Sequence, residues 1–418
     1  MPSAHSLPKT KDRNPMINLE TPKKFAPLIG QAKQVAREVL RPNSRKYDAA
    51  EHEYPKELDM LAALIDGLND SGSGGAGATG VRASKDTGEG NRNGTNMSTA
   101  LSVMETCWGD VGLTLTMPRQ GLGNSAIASV ASDEQLERFE GKWAAMAITE
   151  PSVGSDSANI RTTARYDEAT DEYVLNGTKI YVTSGERADL VVVWASLDLS
   201  KGRAAIKSFV VERSNPNMQL IRLEHKLGIR ASDTAQFELV DCRVPAANLL
   251  GTPEIDAKKS FAGAMQTFDN TRPLVAAMAV GVAEAALDFT RKQLEDAGVT
   301  IDYDRPAALQ VGAAQTFLEL ESDVEAARLL TMRAAWMADN RLPNSLHASY
   351  AKAKAGRTGT DVALRCVELC GSIGLSEADL LEKWSRDAKI LDIFEGTQQI
   401  QLLIIARQLL KKSSAELK

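Results

Sequence analysis

The sequence has few of the residues on which metal and redox chemistry depend. It contains four cysteines and four histidines among 418 residues, and the histidines are scattered, so we expect no metal site. Cys366 and Cys370 lie four positions apart on a predicted helix, a spacing that suits packing better than a disulfide. The absence of recognisable cysteine pairs predicts a reducing, cytoplasmic location.

Long apolar runs and basic blocks are also missing. No run approaches the roughly 20 residues that a membrane helix needs, and residues 1–18 lack the apolar centre of a secretory signal. The net charge is −6, and lysine and arginine form no dense block, which argues against a surface for nucleic acid or anionic lipid. We therefore expect no nucleic-acid partner and no membrane partner.

The composition that remains is that of a soluble globular protein. Hydrophobic residues make up 43% of the chain and charged residues 25%, and the length favours two or three domains. The hydrophobic period changes from helical to strand-like and back, which predicts an α+β fold. The predicted units are a disordered or extended segment 1–18, a helical domain 19–142, a β domain 143–252 and a helical bundle 253–418. A glycine-rich stretch within the first helical domain, 70–94, reads as a flexible surface loop.

Proline and glycine set the predicted ends of several elements. Arg41-Pro42 is expected to close the first helix. Asn176-Gly177 is the strongest short-range hairpin pattern and predicts a turn within 173–182. Arg272-Pro273 is expected to begin a long helix that Gly298 ends. Small residues on one face of that helix would let its neighbours approach closely.

The stretch from Trp143 to Asp156 combines an apolar run with a polar end. The apolar residues read as a buried strand that stops at Thr149, since Pro151 removes the chain from the ladder. Ser155 then offers a hydroxyl and an N–H. On this pattern alone, a strand followed by an ordinary turn remains an alternative to a binding rim.

Three further motifs change the interpretation of that stretch. They are Lys-Ile-Tyr-Val-Thr-Ser-Gly at 179–185, Lys-Leu-Gly-Ile-Arg-Ala-Ser at 226–232 and Glu-Gly-Thr at 395–397. With Thr-Glu-Pro-Ser-Val-Gly-Ser-Asp at 149–156, the chain resembles the acyl-CoA dehydrogenase family, whose members carry these four motifs in this order. The resemblance covers roughly residues 20–412 and implies a helical domain, a central β domain and a C-terminal four-helix bundle.

The resemblance implies FAD-dependent dehydrogenation of an acyl-CoA thioester between its α- and β-carbons. Glu395 matches the catalytic base of the commonest subgroup, and the Glu395 N–H would hydrogen-bond the thioester oxygen. In another subgroup the base lies at the position of Thr271, which cannot serve as that base. From the residues alone, the favoured interpretation of Glu395 is an acid that suits the start of a helix.

The resemblance also implies a set of contacts to FAD and to the substrate. Thr149 and Thr183 would hydrogen-bond the flavin ring, Tyr181 would lie against it, and Ser155 would reach a phosphate or the pantetheine chain. The predicted FAD-binding residues are Met146, Ile148, Thr149, Ser155, Tyr181, Thr183, Gln310, Glu368, Gly371, Ser372, Thr397 and Gln399. The predicted substrate-binding residues are Ser155, Asp269, Arg272 and Gly396.

The sequence departs from the family where a neighbouring subunit would hold the adenosine end of FAD. The expected Arg-x-x-Phe-Gly after the long helix is absent, and Ser372 replaces a glycine in Gly371-Ser-Ile-Gly374. We expect electron-transfer flavoprotein as the electron acceptor and a homotetramer. The alternatives are an α2β2 tetramer with a paralogue, an acyl-CoA oxidase, a decarboxylating or desulfinase-like relative, a subunit with an idle site, and a DNA-binding relative, which the acidic charge disfavours.

Overall fold

The computed structural model describes residues 20–62, 94–118, 122–255, 262–413 and 416, with the backbone alone for 262–270. The predictions for residues 1–18 lie outside these ranges. The glycine-rich stretch 70–94 does too, except for Gly94.

The first helical segment runs past its expected end. Helix α1 (Ala26–Val35) continues through a wider π-helical turn (Ala36–Leu40) into α2 (Arg41–Ala49). The prediction that Arg41-Pro42 closes the helix is therefore wrong. Proline has no N–H to donate and crowds the preceding turn of a helix. Pro42 lies in the first turn of α2, directly after the π-helical segment. The different hydrogen-bond pattern of that segment accommodates the proline.

Residues 57–62 are also helical. The helices before the sheet whose two ends are both described are α3 (Thr95–Gly109), α4 (Val111–Leu115), α5 (Leu122–Val130) and α6 (Asp133–Arg138). Helix α6 begins with a capping box, in which the Ser132 hydroxyl accepts from the Gln135 N–H and the Gln135 amide oxygen accepts from the Ser132 N–H. These two reciprocal hydrogen bonds satisfy donors that a helix start leaves unpaired. They fix the point at which the chain turns towards the sheet.

The middle of the chain forms one mixed sheet with the order β6-β7-β3-β2-β4-β5-β8, and β1 pairs with β4 in parallel. The strands are β1 (Ala144–Ala147), β2 (Thr163–Asp167), β3 (Glu172–Thr183), β4 (Leu190–Ser196), β5 (Ile206–Glu212), β6 (Met218–Leu223), β7 (Thr234–Pro245) and β8 (Leu249–Leu250). Strand β4 is buried along its whole length. One face of β1 and β4 packs on Ala126 and Ile127 of α5. Strand β1, which leads into the motif at 149–156, therefore lies under a helix.

The expected hairpin turn at Asn176-Gly177 is wrong. Strand β3 continues through both residues, and its register with β7 shifts there in a β-bulge. The Asn176 side chain is held across the ladder, since its oxygen accepts from the Asp241 N–H at 2.8 Å. A Cβ at Gly177 would lie 2.5 Å from the Thr162 hydroxyl oxygen, so glycine is required for close approach of β2 rather than for a turn.

The chain after the sheet is helical: α7 (Ala262–Asp296), α8 (Gly312–Asp339), α9 (Ser345–Cys370), α10 (Leu381–Ala388) and α11 (Gln398–Leu410). Helix α7 begins before the expected start, so Pro273 lies inside it. Its end at Gly298 is confirmed, because this residue adopts φ +78° just past the helix. The segment Thr271–Asp296 has the length and hydropathy to cross a membrane, but 72% of its apolar window is buried among other helices.

The predicted small-residue face of α7 is confirmed as a packing surface. Ala276, Ala277, Ala283 and Ala286 are completely buried in a core that α3 shares with the C-terminal helices. A Cβ at Gly281 would lie 2.2 Å from the Met104 carbonyl oxygen. The backbones of α3 and α7 can therefore touch only because this position carries no side chain.

The motif at 226–232 forms a loop held between the sheet and the C-terminal helices. The Lys226 ammonium donates to the Ser232 carbonyl at 2.8 Å and closes the loop on itself. The Ile229 N–H donates to the Asp387 carboxylate at 2.5 Å, and Lys383 joins Asp387 to Asp110 through two buried ion pairs. Since these groups come from all three parts of the chain, the loop fixes the sheet against both sets of helices.

Candidate active site

Glu395 occupies a tight turn between a short 3-10 helix (Lys389–Asp392) and α11. Both Glu395 and Gly396 adopt left-handed backbone conformations, with φ of 56° and 91°. A Cβ at position 396 would lie 2.5 Å from the Gln401 amide nitrogen, so this position requires glycine. A non-glycine residue with positive φ costs free energy that surrounding contacts must offset, and such residues cluster at functional sites.

Two buried side chains hold this turn. The Lys352 ammonium donates to the Gly396 carbonyl at 2.7 Å, and the Gln401 amide donates to the carbonyls of Glu395 at 3.2 Å and Gly396 at 3.1 Å. Lys352 and Gln401 are both 0% exposed. Thr397 caps α11 by accepting from the Ile400 N–H. The direction of the Glu395 side chain is therefore set by interactions of its own backbone.

The Glu395 carboxylate faces Thr271 of α7. The Thr271 hydroxyl donates to it at 2.9 Å. Burial raises the pKa of Glu395, while the Thr271 hydrogen bond and the charges of Arg272 and Lys352 lower it, and burial prevails. A carboxyl group whose pKa is raised in this way is a stronger base once ionised.

Lys352 itself is perturbed by its surroundings. Burial lowers its pKa from 10.5 to about 8, against the opposing effects of Asp392 and Glu395. The positions of Thr271 and Glu395 are the two at which the resemblance allows a base, and the structure brings them into hydrogen-bond contact. Only position 395 carries an acid, since position 271 is a threonine.

The predicted flavin contacts of the sheet lie close together where β1 ends beside β3. The Ile180 N–H donates to the Thr149 carbonyl at 2.9 Å, and Thr183 pairs with Thr234 on β7. Between them a second register shift places Tyr181 at φ +58° with its side chain 62% exposed. Both threonines are half-buried, so their side chains are partly accessible near this bulge.

The other predicted residues of β1 and its following loop differ in their exposure. Met146, Ile148 and Thr149 are half-buried, whereas Ala144, Ala145 and Ala147 are buried. Ser155 is exposed in the loop that follows. Arg272 is buried near Glu395. The predicted substrate contact Asp269 lies on α7, in the part for which the backbone alone is described.

A third group of predicted residues lies far from Glu395 within one chain. Glu368 lies in the exposed last turn of α9, and the exposed Gly371 and Ser372 follow that helix. Glu368 pairs with Arg365 at 3.0 Å. At 1.5 Å per helical residue, Glu368 lies about 24 Å along α9 from Lys352. This group therefore cannot share a site with Glu395 of the same chain.

Gln310 and Gln399 are also apart from the turn. Gln310 follows α7 and bonds the backbone of its own loop, at Asp302 and Arg305. Gln399 is exposed near the start of α11.

A cleft of about 840 Å³ opens between α6 and the sheet, and none of the predicted site residues lines it. Its walls include Gln135 and Arg138 of α6, Thr163 and Arg165 of β2, and Ser196 and Leu197 at the end of β4. The predicted site is therefore distinct from this cleft.

Comparison with known proteins decides the family. The model of the acyl-CoA dehydrogenase C-terminal domain matches residues 261–410, and that of the middle domain matches residues 145–242. A curated relative, acryloyl-CoA reductase (NADH) of Anaerotignum propionicum, is 32% identical over 91% of this chain and 93% of its own length. The chain belongs to the acyl-CoA dehydrogenase family.

Other members show the same relationship. The short-chain specific acyl-CoA dehydrogenase of Clostridium acetobutylicum is 31% identical over 85% of this chain and 94% of its own. The solved structure of butyryl-CoA dehydrogenase from Megasphaera elsdenii superposes with a TM-score of 0.78 at 28% identity, covering 94% of this chain and all of that one. The chain is thus an oxidoreductase that acts on acyl-CoA, with the α+β fold that the motifs predicted.

Acyl-CoA dehydrogenases use FAD, and the residues at the edge of the sheet fit this cofactor. A flavin ring needs apolar contact on its face and hydrogen-bonding groups at its rim. Half-buried Met146 and Ile148 supply the first, and the hydroxyls of Thr149 and Thr183 supply the second. The exposed Tyr181 lies at the bulge between those threonines.

Two residues of the family motifs have a role that our sequence analysis missed. Glu150 of Thr-Glu-Pro and Lys179 of the second motif form an ion pair at 2.8 Å, with exposed fractions of 3% and 0%. Glu150 also accepts from the backbone N–H groups of Arg161 and Thr162. The pair joins β1 to β3 beneath the proposed flavin edge, and the clue was two charged residues in otherwise apolar strands.

Proposed function

We propose that the chain dehydrogenates a short acyl-CoA thioester to the trans-2-enoyl-CoA, with Glu395 as the base that removes the α-proton. The observation that carries this proposal is the placement of a half-buried carboxyl group, whose pKa is raised by desolvation, in a turn fixed by Lys352 and Gln401. General bases require such a fixed position as well as a suitable pKa.

The neighbouring groups would stabilise the charge that develops on the thioester oxygen. The Glu395 N–H is the proposed donor to that oxygen, and Gly396 leaves room beside it. Donors fixed in advance stabilise developing charge without having to reorient during the reaction. Thr271 would keep the Glu395 carboxylate directed at the α-carbon, because it donates to one carboxylate oxygen and leaves the other available.

FAD supplies the hydride acceptor for this chemistry when it is bound. Thr149 and Thr183 would hold the rim of its ring, Tyr181 would pack beside it, and Ser155 would contact a phosphate or the substrate's pantetheine chain. Met146 and Ile148 would exclude water from one face. Arg272 and Asp269 are proposed to line the channel that admits the acyl-CoA.

The cofactor site is proposed to be completed by a second subunit. Gln310, Glu368, Gly371 and Ser372 are assigned to FAD by resemblance, and the length of α9 separates this group from Glu395 of the same chain. Thr397 and Gln399, at the start of α11, would contact the same cofactor. A homotetramer meets this requirement, and an α2β2 tetramer with a paralogue is the alternative that the altered Gly371-Ser-Ile-Gly374 turn favours.

Electron-transfer flavoprotein is the proposed electron acceptor. A solved structure titled as an electron transferring flavoprotein of Acidaminococcus fermentans superposes with a TM-score of 0.77 at 27% identity. The name of the Anaerotignum propionicum relative supports a second candidate function, reduction of a short enoyl-CoA. The same base position would then return a proton to the α-carbon.

The short acyl chain is proposed from the relatives, whose names specify short-chain, acryloyl or butyryl substrates. The test is anaerobic mixing of the FAD-loaded protein with acyl-CoAs of increasing length, while flavin absorbance is followed. We expect the fastest bleaching with the shortest chains, and turnover with an artificial acceptor. Failure of every saturated acyl-CoA to bleach the flavin would contradict the dehydrogenase assignment.

Controls separate the alternatives. Oxygen consumption on addition of substrate would indicate an oxidase, and NADH-dependent loss of an enoyl-CoA would indicate the reductive direction. Less than one FAD per chain in the protein expressed alone would point to a missing partner subunit.

A further inference from the structure

A cluster of metal-binding side chains lies where the N-terminal helices meet the sheet, at Glu51, His52 and His225. The potential ligand atoms of these three residues all lie within 4.8 Å of one another. Glu51 and His52 follow α2, and His225 follows β6, 174 positions from Glu51 in the sequence. A carboxylate with two imidazoles is a common ligand set for zinc.

His52 is the unusual member of the cluster. Both of its ring nitrogens are shielded from solvent and make no hydrogen bond within the described part of the chain. Its ring lies 5.2 Å from the His225 ring, centroid to centroid. A buried polar group without a partner is costly, so the protein has reason to give these nitrogens a ligand.

The other two members are already oriented towards each other. The His225 Nδ1 lies 2.8 Å from one oxygen of Glu51, and the second oxygen accepts from the Lys226 N–H at 2.9 Å. The latter bond holds the carboxylate in place from outside the cluster, as outer contacts do for metal ligands in general. The His225 side chain is 84% exposed, which leaves a path of entry for an ion.

Charges of both signs lie around the cluster. Lys226 is a cation that acts on His52, and its ammonium is engaged by the Ser232 carbonyl at 2.8 Å. Glu186 lies close enough to act on His52, and Glu224 on Lys226. A divalent cation held by Glu51 would therefore meet acidic groups as well as the tethered ammonium.

We propose that Glu51, His52 and His225 form a binding site for a divalent transition metal ion, with Zn²⁺ as the best match. Zinc bonds of about 2.0–2.1 Å place tetrahedral ligand atoms about 3.3 Å apart, so side-chain rotations alone would close the cluster around an ion. The metal would replace the contact between Glu51 and His225 and would fill the fourth position with water.

The bound ion would act as a clamp. It would join the end of α2 to the loop that carries the Lys226–Ser232 motif. This junction already holds Arg187, which donates to the Glu53 carbonyl at 3.1 Å and pairs with Asp233. Metal binding that exists only in the folded state adds its free energy to folding.

The test uses tag-free, full-length protein loaded with FAD, treated with a chelator and desalted. Zn²⁺ is titrated in competition with a zinc-binding dye, and Co²⁺ is used to report coordination through absorption bands beyond those of the flavin. The variants are His225→Ala, whose side chain is exposed, Glu51→Gln, and His52→Asn, because asparagine tolerates the φ of +72° at this position. His347→Asn is the matched control outside the cluster.

We expect one Zn²⁺ per chain, affinity reduced at least tenfold in each cluster variant and unchanged affinity in His347→Asn. Zinc addition should raise the melting temperature of the parent protein and of His347→Asn, but not that of the cluster variants. A parent protein that takes no zinc from the dye would overturn the proposal. Equal zinc affinity in the parent and in His225→Ala would overturn it too. Because these readouts do not require turnover, they are independent of the proposed acyl-CoA chemistry.

Discussion

Replacing Lys352 with methionine should lower the activity strongly while changing the free energy of unfolding only slightly. Its ammonium is the charged donor to the Gly396 carbonyl, and hydrogen bonds to charged groups contribute about 1.5–3 kcal/mol. Without it, Gln401 alone holds the two left-handed residues of the turn. If the lost interaction is fully expressed in the transition state, kcat/KM falls about ten- to a hundredfold.

The same substitution also removes the free-energy cost of burying a charged lysine, which offsets the lost hydrogen bond. Burial lowers the pKa of Lys352 from 10.5 to about 8, so holding this residue charged at pH 7 costs about 3 kcal/mol. That cost is fully present below pH 8 and disappears as the pH rises through 10.5. Loss of the hydrogen bond and relief of this cost nearly cancel, and we expect the free energy of unfolding at pH 7 to change by no more than about 1–2 kcal/mol.

Lys352 also lowers the pKa of Glu395. In Lys352→Met that pKa rises, so the acid limb of the kcat profile moves to higher pH. The assay combines the pH dependence of kcat, chemical denaturation and bound flavin per chain. Lys354→Met is the matched control, because this neighbour on α9 pairs with Asp323 at 2.5 Å and should leave the profile unchanged. Parent-like kcat/KM and pH profile in Lys352→Met would refute the reasoning, as would loss of activity that follows unfolding alone.

Two other substitutions test the surroundings of the site. Thr271→Val removes a hydrogen bond that lowers the pKa of Glu395, so the acid limb of kcat should again shift to higher pH. An unshifted limb would mean that this contact does not act on the base. Lys179→Met leaves Glu150 buried without its countercharge and should cost about 3–5 kcal/mol of unfolding free energy. The double variant Glu150→Gln/Lys179→Met should recover much of that loss in denaturant titrations, and equal destabilisation of both would contradict the ion-pair account.

Sequence patterns identified the family and many of the elements. Strand β6 (Met218–Leu223) has the expected bounds, and the end of α7 at Gly298 was recognised because glycine adopts positive φ at helix ends. The bounds of such a strand and the end of such a helix are local properties, because a residue and its immediate neighbours largely determine them.

The errors came from features that depend on a partner distant in sequence. Asn176-Gly177 has the composition of a tight turn, but the contact of Gly177 with Thr162 and the pairing of Asn176 with Asp241 make it a bulge. Pro273 favours a helix start, yet α7 begins earlier. At Asn176-Gly177, tertiary packing overrides local preference.

In the candidate site, too, local features could be predicted and contacts between distant residues could not. Glu395 could be selected from its motif, since the four motifs occur in order along the chain. Its interactions with Lys352 and Gln401 could not, because no spacing rule links residue 352 to residue 396. The contact between the His52 and His225 rings was hidden for the same reason, because the two residues lie far apart in the sequence.

The central claim is that the Glu395 carboxylate removes the α-proton. It is tested most directly by exchange of the α-hydrogen of a bound acyl-CoA with D₂O, using an analogue with sulfur in place of the β-carbon so that no hydride can leave. We predict that Glu395→Gln keeps its fold and its bound FAD and loses exchange by about two orders of magnitude or more. Exchange at the parental rate in that variant would contradict the assignment.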